Sequence, residues 1–127
     1  MDLPRPFVIR ESTHRIHDPL TPAKLARLGE ALLLGPGQQI LDLACGSGEM
    51  LCTWARDHDI AGVGVDLSSA FIDRARAQAA ELDVADRVHF EQGDAAGYVA
   101  AKPVDIAAFL MSWLIGVIRI FRQVQHL

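Results

Sequence analysis

An apolar run that ends in a glycine turn and continues as a helix most restricts how this chain folds. Residues 39–44 form such a run before Cys45-Gly46-Ser47-Gly48, and helical spacing follows over 49–56. Further apolar runs end at Asp66, at Gly93-Asp94 and near Phe109. Short apolar strands that alternate with helices form β-α-β units with parallel strands covered on both faces. The pattern predicts an α/β fold, a three-layer, doubly wound parallel sheet with helices that include 22–34 and one capped by Ser68.

The chain has 127 residues, enough for one domain, and its composition argues against several classes of function. With 12 basic and 16 acidic side chains, it has no positive excess for binding a nucleic-acid backbone. The uncharged apolar stretch 106–118 is shorter than the roughly 20 residues that span a membrane. Cys45 and Cys52 fit neither a zinc site nor a redox pair, and the first residues lack the apolar run of a secretory signal. We therefore expect a cytoplasmic protein with reduced thiols and no metal site.

Acidic and glycine residues occur where the predicted strands end, which is where open α/β sheets bind ligands. Gly46 and Gly48 would let a ligand approach the backbone closely. Asp66 closes the second predicted strand and can accept hydrogen bonds from both hydroxyls of a ribose. Asp94 and Ala95 follow the third predicted strand, where the edge of a nucleobase would lie.

The residues around the glycine turn indicate which nucleotide fits. A dinucleotide-binding turn has a third glycine where this chain has Leu51, and no phosphate-binding loop of the GxxxxGK[ST] type is present. Asp42 would repel a pyrophosphate and attract a cationic amino acid. A ligand with an adenine, a ribose, a positive charge and no phosphate fits these features, as S-adenosylmethionine does. A nicotinamide-dependent oxidoreductase is the weaker alternative, because of Leu51.

Three segments together resemble the class I S-adenosylmethionine-dependent methyltransferases, which have a Rossmann-like fold. Residues 40–48 are similar to motif I of that family, with Ala44 in place of the usual first glycine. Residues 62–68 resemble its motif II, and 92–96 resemble the segment that contacts adenine. The segments 14–19 and 46–56 are similar to a bacterial branch that acts on small molecules. The resemblance covers about residues 10–108 and implies methyl transfer to an unidentified small-molecule acceptor.

The resemblance also implies roles for individual residues. Gly46 and Gly48, with Ala44 and Cys45 in the same turn, would pass the methionine part of the cofactor, and Asp42 would act on its ammonium group or water shell. Asp66 would bind the ribose hydroxyls and Leu67 would pack on the adenine. Asp94 would take the adenine amino group, while the backbone amide of Ala95 reaches a ring nitrogen. No general base follows from spacing, although His14 and His17 are candidates because the family's N-terminal arm closes over the site.

The chain departs from the family after the fourth predicted strand. We divide it into an extended arm (1–21), a cofactor-binding domain (22–108) and a divergent apolar tail (109–127), with about four of the family's seven strands. By the family's strand order, the fourth strand would be an unprotected edge, and the tail would cover the sheet as a helix, pair with another chain or aggregate. This predicts self-association with contacts from Trp113, Leu114, Ile118 and Phe121. For the tail, the hypothesis is an altered reading frame or a truncated gene product, which the other frames of the encoding DNA would test. For function, the alternative to methyl transfer is a truncated, catalytically inactive module that binds the cofactor and self-associates.

Overall fold

The computed structural model describes the backbone of residues 7–15, 21–98, 100, 103–112 and 117–125, and side chains within 21–98, 100 and 103–109. It contains helices α1 (Pro22–Ala31), α2 (Glu49–His58) and α3 (Ser69–Glu81). Its strands are β1 (Phe7–Arg15), β2 (Gln39–Leu43), β3 (Ala61–Asp66), β4 (Val88–Gln92), β5 (Ile106–Ser112) and β6 (Val117–Gln125).

The four predicted strands form the parallel part of one sheet, in the order β5-β2-β3-β4. Leu41 in β2 lies opposite Val63 in β3 and Ala107 in β5, and Asp66 lies opposite Gln92 in β4. This confirms the predicted α/β class and the parallel pairing. Because the strands are parallel, the carboxyl ends of β2, β3 and β4 meet at one edge of the sheet.

Two further strands correct the prediction that β5 has an unprotected edge. β6 pairs antiparallel with β5, with Ala108 opposite Ile120, and β1 pairs antiparallel with β6, with His14 opposite Ile118. The order of the whole sheet is therefore β1-β6-β5-β2-β3-β4. Segment 117–125 is rich in β-branched residues, which favour a strand, so the tail pairs within its own chain. Of the residues expected to mediate self-association, Trp113 and Leu114 lie outside the described residues.

The two predicted helix starts are confirmed by capping contacts. The Thr21 hydroxyl accepts a hydrogen bond from the Lys24 N–H at 3.3 Å, and the Ser68 hydroxyl accepts one from the Phe71 N–H at 3.2 Å. Such caps satisfy backbone donors that the first turn of a helix leaves unpaired. α1 ends earlier than the predicted residue 34, because Leu33 adopts the left-handed conformation at φ 56°.

The three helices pack against one face of the sheet. Their buried side chains form a cluster with Ile40, Phe90 and Ile106 from the strands. A second cluster lies on the opposite face and contains no described helix residue; its buried members are Leu41, Leu43, Val65, Val104 and Ala107. Ala95, Tyr98 and Ala100, from the loop after β4, pack against this second cluster. Over the described residues, the third layer of the predicted sandwich is thus a loop rather than helices.

Gly29 allows α1 to approach α2 closely. A Cβ there would lie 2.8 Å from the Nε1 of Trp54, which donates a 2.9 Å hydrogen bond to the Leu25 carbonyl. We expect Gly29→Ala to lower the free energy of unfolding by about 1–3 kcal/mol, in spite of the better helix propensity of alanine. Gly35→Ala is the matched control for urea unfolding, since a Cβ at 35 meets nothing within 4 Å. Equal stability of the two variants would contradict this account of the packing.

Candidate functional site

Three predicted acidic residues lie at the same edge of the sheet. Asp42 is near the end of β2, Asp66 ends β3, and Asp94 follows β4 by two residues. The Gly93 N–H donates a 2.9 Å hydrogen bond to the Asp66 carbonyl, which ties the end of β4 to the end of β3. The sequence prediction that these carboxylates share one end of the sheet is therefore confirmed.

The turn between β2 and α2, which we call the glycine loop (residues 44–48), has an unusual backbone. Ala44, Gly46 and Gly48 have φ values of 61°, 58° and 81°, all in the left-handed region. The Cys45 N–H donates to the Val65 carbonyl at 2.9 Å, and the Gly48 N–H donates to the Cys45 carbonyl at 3.1 Å. These bonds hold the loop against the end of β3. Left-handed φ is least costly for glycine, so the sequence allows this shape at 46 and 48.

Gly48 is required by packing as well as by its backbone. A Cβ at this position would lie 2.8 Å from the Cβ of Ala75 in α3 and 2.9 Å from the Cζ of Phe90 in β4. Gly64 in β3 faces the same ring, since its Cβ would lie 2.6 Å from the Cδ1 of Phe90. The Phe90 ring thus occupies the space that the missing side chains of Gly48 and Gly64 leave open, and it packs against the end of the glycine loop. Neither Phe90 nor Gly64 was singled out by the sequence prediction.

The carboxylate of Asp66 joins two loops through backbone hydrogen bonds. Its Oδ2 accepts from the Gly46 N–H at 2.9 Å, and its Oδ1 accepts from the Ser68 N–H at 2.9 Å. Each carboxylate oxygen has a second acceptor site, so these bonds leave capacity for a ligand's hydroxyl groups. Sequence reasoning predicted a ribose contact for Asp66 but not its role in fixing the glycine loop.

Asp42 is the one fully buried charged side chain among the described residues, with 2% of its surface exposed. Its Oδ1 has no hydrogen-bond partner within the described part of the chain. Burial raises the pKa of Asp42 well above its usual value, and the negative charges of Asp66 and Glu49 raise it further. A buried carboxylate oxygen without a partner is costly, and a positively charged group placed beside it would lower that cost.

Glu49 adds negative charge at the start of α2. The Ser47 hydroxyl donates a 2.6 Å hydrogen bond to its Oε1, within the turn that leads into the helix. Together with Asp42 and Asp66, it makes the region around the glycine loop acidic. Carboxylates at this turn oppose a phosphate, which supports the exclusion of a pyrophosphate ligand on sequence grounds.

The loops after β3 and β4 form the second half of the site. Leu67 is 68% exposed, and its carbonyl accepts a 3.0 Å hydrogen bond from the Nε2 of Gln92. Asp94 is exposed, and its Oδ1 accepts from the Ala96 N–H at 2.9 Å. An exposed leucine whose backbone carbonyl is fixed by a hydrogen bond offers an apolar surface on which a flat ring could pack. Gln92 belongs to the predicted adenine-contacting segment 92–96, but no sequence signal indicated that its side chain would hold the Leu67 backbone.

Cys45 and Cys52 are free thiols, and both are buried. Burial, and then the charges of Asp42 and Asp66, raise the pKa of Cys45, while burial raises the pKa of Cys52 to about 11. These raised pKa values disfavour the thiolate near neutral pH, and both side chains are packed as small buried residues.

A groove with a volume of about 570 Å³ opens beside the glycine loop and runs along α2, between α1 and α3. Its lining includes Pro22, Leu25, Gly46, Ser47, Glu49 and Phe71. Of the predicted site residues only Gly46 lines it; Asp66, Leu67 and Asp94 do not. The predicted site therefore extends from one end of this groove across the ends of β3 and β4.

The structure describes only one of the two candidate bases, and only its backbone. His14 lies in β1, which β6 and β5 separate from β2, and His17 lies outside the described residues. In the part of the chain that the structure describes, no group of three or more histidine, cysteine or acidic side chains is placed to hold a metal ion. None of the described helices is both long and apolar enough to cross a membrane.

Comparison with known proteins places this geometry in a family. A sequence model described as "Methyltransferase domain" matches residues 40–125, from β2 to the end of β6. The chain belongs to the methyltransferase domain family. The match extends beyond Ala108, so the family resemblance reaches further along the chain than the sequence motifs indicated.

Individual relatives agree with this assignment. The chain is 56% identical over 117 residues to the uncharacterized protein YjhP of Escherichia coli K12, covering 91% of this chain and 47% of YjhP. It is 33% identical to the 27-O-demethylrifamycin SV methyltransferase of Amycolatopsis mediterranei, covering 83% of this chain and 34% of that enzyme. A crystal structure of an S-adenosylmethionine-dependent methyltransferase from Thiobacillus denitrificans, in complex with S-adenosylhomocysteine, is 57% identical with a TM-score of 0.72, covering 78% of this chain and 40% of that one. The methyltransferase domain described here thus spans less than half the length of each of these relatives.

The buried carboxyl of Asp42 has a consequence for stability. Because its pKa is raised on folding, the folded chain binds more protons than the unfolded chain above pH 3.8, and stability falls as the pH rises toward the raised pKa. We expect Asp42→Asn to be more stable than wild type at neutral pH, with a difference that grows through this pH window and then levels off. Urea unfolding across a pH series measures this difference. Asp73→Asn, an exposed change in α3, is the control, and a pH-independent difference for Asp42→Asn would contradict the prediction.

Gly48→Ala tests whether packing or backbone strain dominates in the glycine loop. Gly37 has a similar φ of 78°, but a Cβ there meets nothing within 4 Å. We expect Gly48→Ala to lose about 1–3 kcal/mol more stability than Gly37→Ala, because only the former also clashes with Ala75 and Phe90. Thermal unfolding followed by circular dichroism compares the two. Equal losses would assign the whole effect to the backbone.

Proposed function

We propose that this methyltransferase domain binds S-adenosylmethionine at the carboxyl ends of β2, β3 and β4, and that the protein transfers its methyl group to a small-molecule acceptor. The buried Asp42 carboxyl, whose Oδ1 has no described partner, carries this proposal. Such a group calls for a cation, and an amino-acid ammonium beside the glycine loop supplies one. The solved relative with bound S-adenosylhomocysteine supports the choice of cofactor.

We assign the contacts as the sequence analysis expects. Asp42 faces the ammonium end, and Ala44, Cys45, Gly46 and Gly48 form the wall beside the methionine part. Asp66 accepts from the ribose hydroxyls through the acceptor sites that its backbone bonds leave.

At the other end, Leu67 packs on the adenine, Asp94 accepts from its amino group, and the Ala95 N–H donates to a ring nitrogen. The large exposed fraction of Leu67 supports this assignment. Within our division of the chain, segment 22–108 carries all of these contacts.

The bound cofactor supplies a methyl group that is already activated by its sulfonium. The chain's own contribution is therefore orientation and charge, which is a large part of catalysis when the leaving group needs no protonation. The acidic surroundings of the glycine loop hold the cationic end, while the rigid backbone bonds of Asp66 fix the ribose and with it the direction of the methyl group. The acceptor's proton passes to water or to a general base.

Calorimetric titration with S-adenosylhomocysteine tests the cofactor site. We expect micromolar binding, equivalent to about 8 kcal/mol, and no binding of NAD. Asp66→Asn should weaken binding by about 10- to 100-fold, because it removes a charged acceptor, whereas Asp73→Asn should not change it. No binding by a folded wild-type chain would contradict the proposal.

The pH dependence of that titration tests Asp42 itself. A cation beside Asp42 favours its ionised form, so binding should release a proton, and affinity should rise with pH until Asp42 is ionised in the free chain. Asp42→Asn should bind more weakly and lose most of this dependence. Titration in buffers with different ionisation enthalpies counts the released protons, and an unchanged pH profile in Asp42→Asn would overturn its proposed role.

Binding alone does not distinguish an active enzyme from a module without turnover. Production of S-adenosylhomocysteine from S-adenosylmethionine, measured with a panel of small hydroxyl, thiol and amine compounds, makes that distinction. Turnover with any of them supports the enzyme, and binding without turnover across the panel supports the module.

We also propose that the chain self-associates through its C-terminal segment, with Trp113, Leu114, Ile118 and Phe121 in the contact, and that it works in the cytoplasm. Support comes from the apolar composition of this segment and from the adjacent sheet face, which only a loop covers in the described region. The two free thiols fit a reducing compartment. Light scattering over a concentration series tests the first point, and a monomer throughout would contradict it.

A further inference from the structure

Tyr98 fastens the loop after β4 to the sheet. Its hydroxyl donates a 2.8 Å hydrogen bond to the Oε1 of Glu91 in β4. Its ring packs against the second apolar cluster, on the face of the sheet where no described helix lies. Glu91 is exposed while its neighbour Phe90 is buried among the helices, so Glu91 and the Tyr98 ring meet on the same face.

The residues between these two anchors form a short turn. Asp94 starts it, with its Oδ1 accepting from the Ala96 N–H at 2.9 Å, and the Tyr98 N–H closes it by donating to the Ala95 carbonyl at 3.3 Å. Gly97 adopts a φ of 78°, which allows the chain to reverse. Tyr98 is therefore the last residue of the turn that begins with Asp94.

We infer that Tyr98 is a positioning residue for recognition of the adenine, because its hydrogen bond to Glu91 fixes the turn that presents Asp94 and Ala95. This inference rests on the proposed function. An exposed carboxylate such as Asp94 is aimed by the backbone that carries it, since few other contacts restrict it. Fixing that backbone before binding lowers the entropy lost on complex formation.

The bond between Tyr98 and Glu91 is suited to a permanent anchor. A hydrogen bond to a carboxylate is stronger than one between neutral groups. Burial and the bond to Glu91 raise the pKa of Tyr98 to about 12, so the hydroxyl remains a donor throughout the physiological range. The donor side of this anchor therefore does not switch with pH over that range.

The test compares two ligands that differ only at the adenine. Calorimetry gives the Kd of S-adenosylhomocysteine and of S-inosylhomocysteine, in which a carbonyl replaces the amino group that Asp94 would accept from. We expect wild type to prefer the adenosyl compound, and Tyr98→Phe to lower that preference by about 3- to 10-fold. The phenylalanine ring keeps the apolar packing, so the melting temperature should change little.

Variants of Glu91 provide an independent arm that does not disturb the packing. Glu91→Ala should reproduce the loss of preference seen in Tyr98→Phe, and the double variant should lose no more than either single one, since all remove one bond. Glu91→Gln keeps an acceptor oxygen and should recover part of the preference. Glu81→Ala, an exposed carboxylate at the end of α3, is the control and should leave it unchanged.

Two failures are distinguishable. If wild type binds with an adenine preference that Tyr98→Phe and Glu91→Ala leave intact, Tyr98 only stabilises the fold and this inference alone is overturned. If a folded wild-type chain binds neither compound, the proposed function fails and the inference fails with it.

Discussion

Close packing of α2 and the glycine loop against β3 and β4 is the constraint on which the rest of the structure depends. Gly62 and Gly64 both lie in β3, and Gly48 starts α2. A Cβ on Gly62 would lie 2.3 Å from the Ile40 carbonyl oxygen and 3.1 Å from a methyl carbon of Leu51. A Cβ at 48 or 64 would collide with the Phe90 ring, and one at 62 would collide with the β2 backbone. The same contacts fix the position of the glycine loop relative to the ends of the strands. The geometry of the candidate site therefore depends on packing in the core.

Electrostatics at this end of the sheet work against stability and would favour a bound cation. Asp42 is buried without a partner for Oδ1, and Asp66 and Glu49 raise its pKa further. Asp66 compensates in part, because both of its oxygens accept backbone N–H groups and so hold two loops together. Asp66 therefore stabilises the fold while Asp42 destabilises it, and a cation bound beside Asp42 would offset that cost. Sites of this kind concentrate at functional positions.

The elements that local sequence signals specify could be predicted, whereas those that depend on a distant partner could not. The strands from 39 to 92 and the caps at Thr21 and Ser68 were predictable, because apolar runs and capping residues are local signals. β6 was not, since a nine-residue segment with five apolar side chains fits a strand, a helix or an interface equally well until its partner is known. Its pairing with β1 joins residues more than a hundred positions apart, such as Phe7 and Gln125.

The site shows the same division between local and distant causes. Asp42, Asp66 and Asp94 were predictable as a set because strand ends of a parallel sheet meet. Leu51 was interpreted as evidence against a dinucleotide-binding turn, whose third glycine lets the helix approach the strand. Here Leu51 is fully buried beside Gly62, so the glycine at this contact is on the strand and not on the helix. A sequence motif lists residues on one side of a contact only. It therefore does not predict that the small residue lies on the facing strand and the large one on the helix.

Ala44 shows that the shape of the glycine loop is imposed by its surroundings. It has a φ of 61°, a conformation that costs a non-glycine residue about 1–2 kcal/mol. The loop keeps this shape because the next residues are fixed from outside: the Cys45 N–H is bound by Val65, the Gly46 N–H by Asp66, and Gly48 by the packing of Phe90. A glycine at 44, usual in the family that this chain resembles, would relieve the cost without being needed to define the conformation. Strain that persists because several contacts over-determine it is typical of ligand-binding loops.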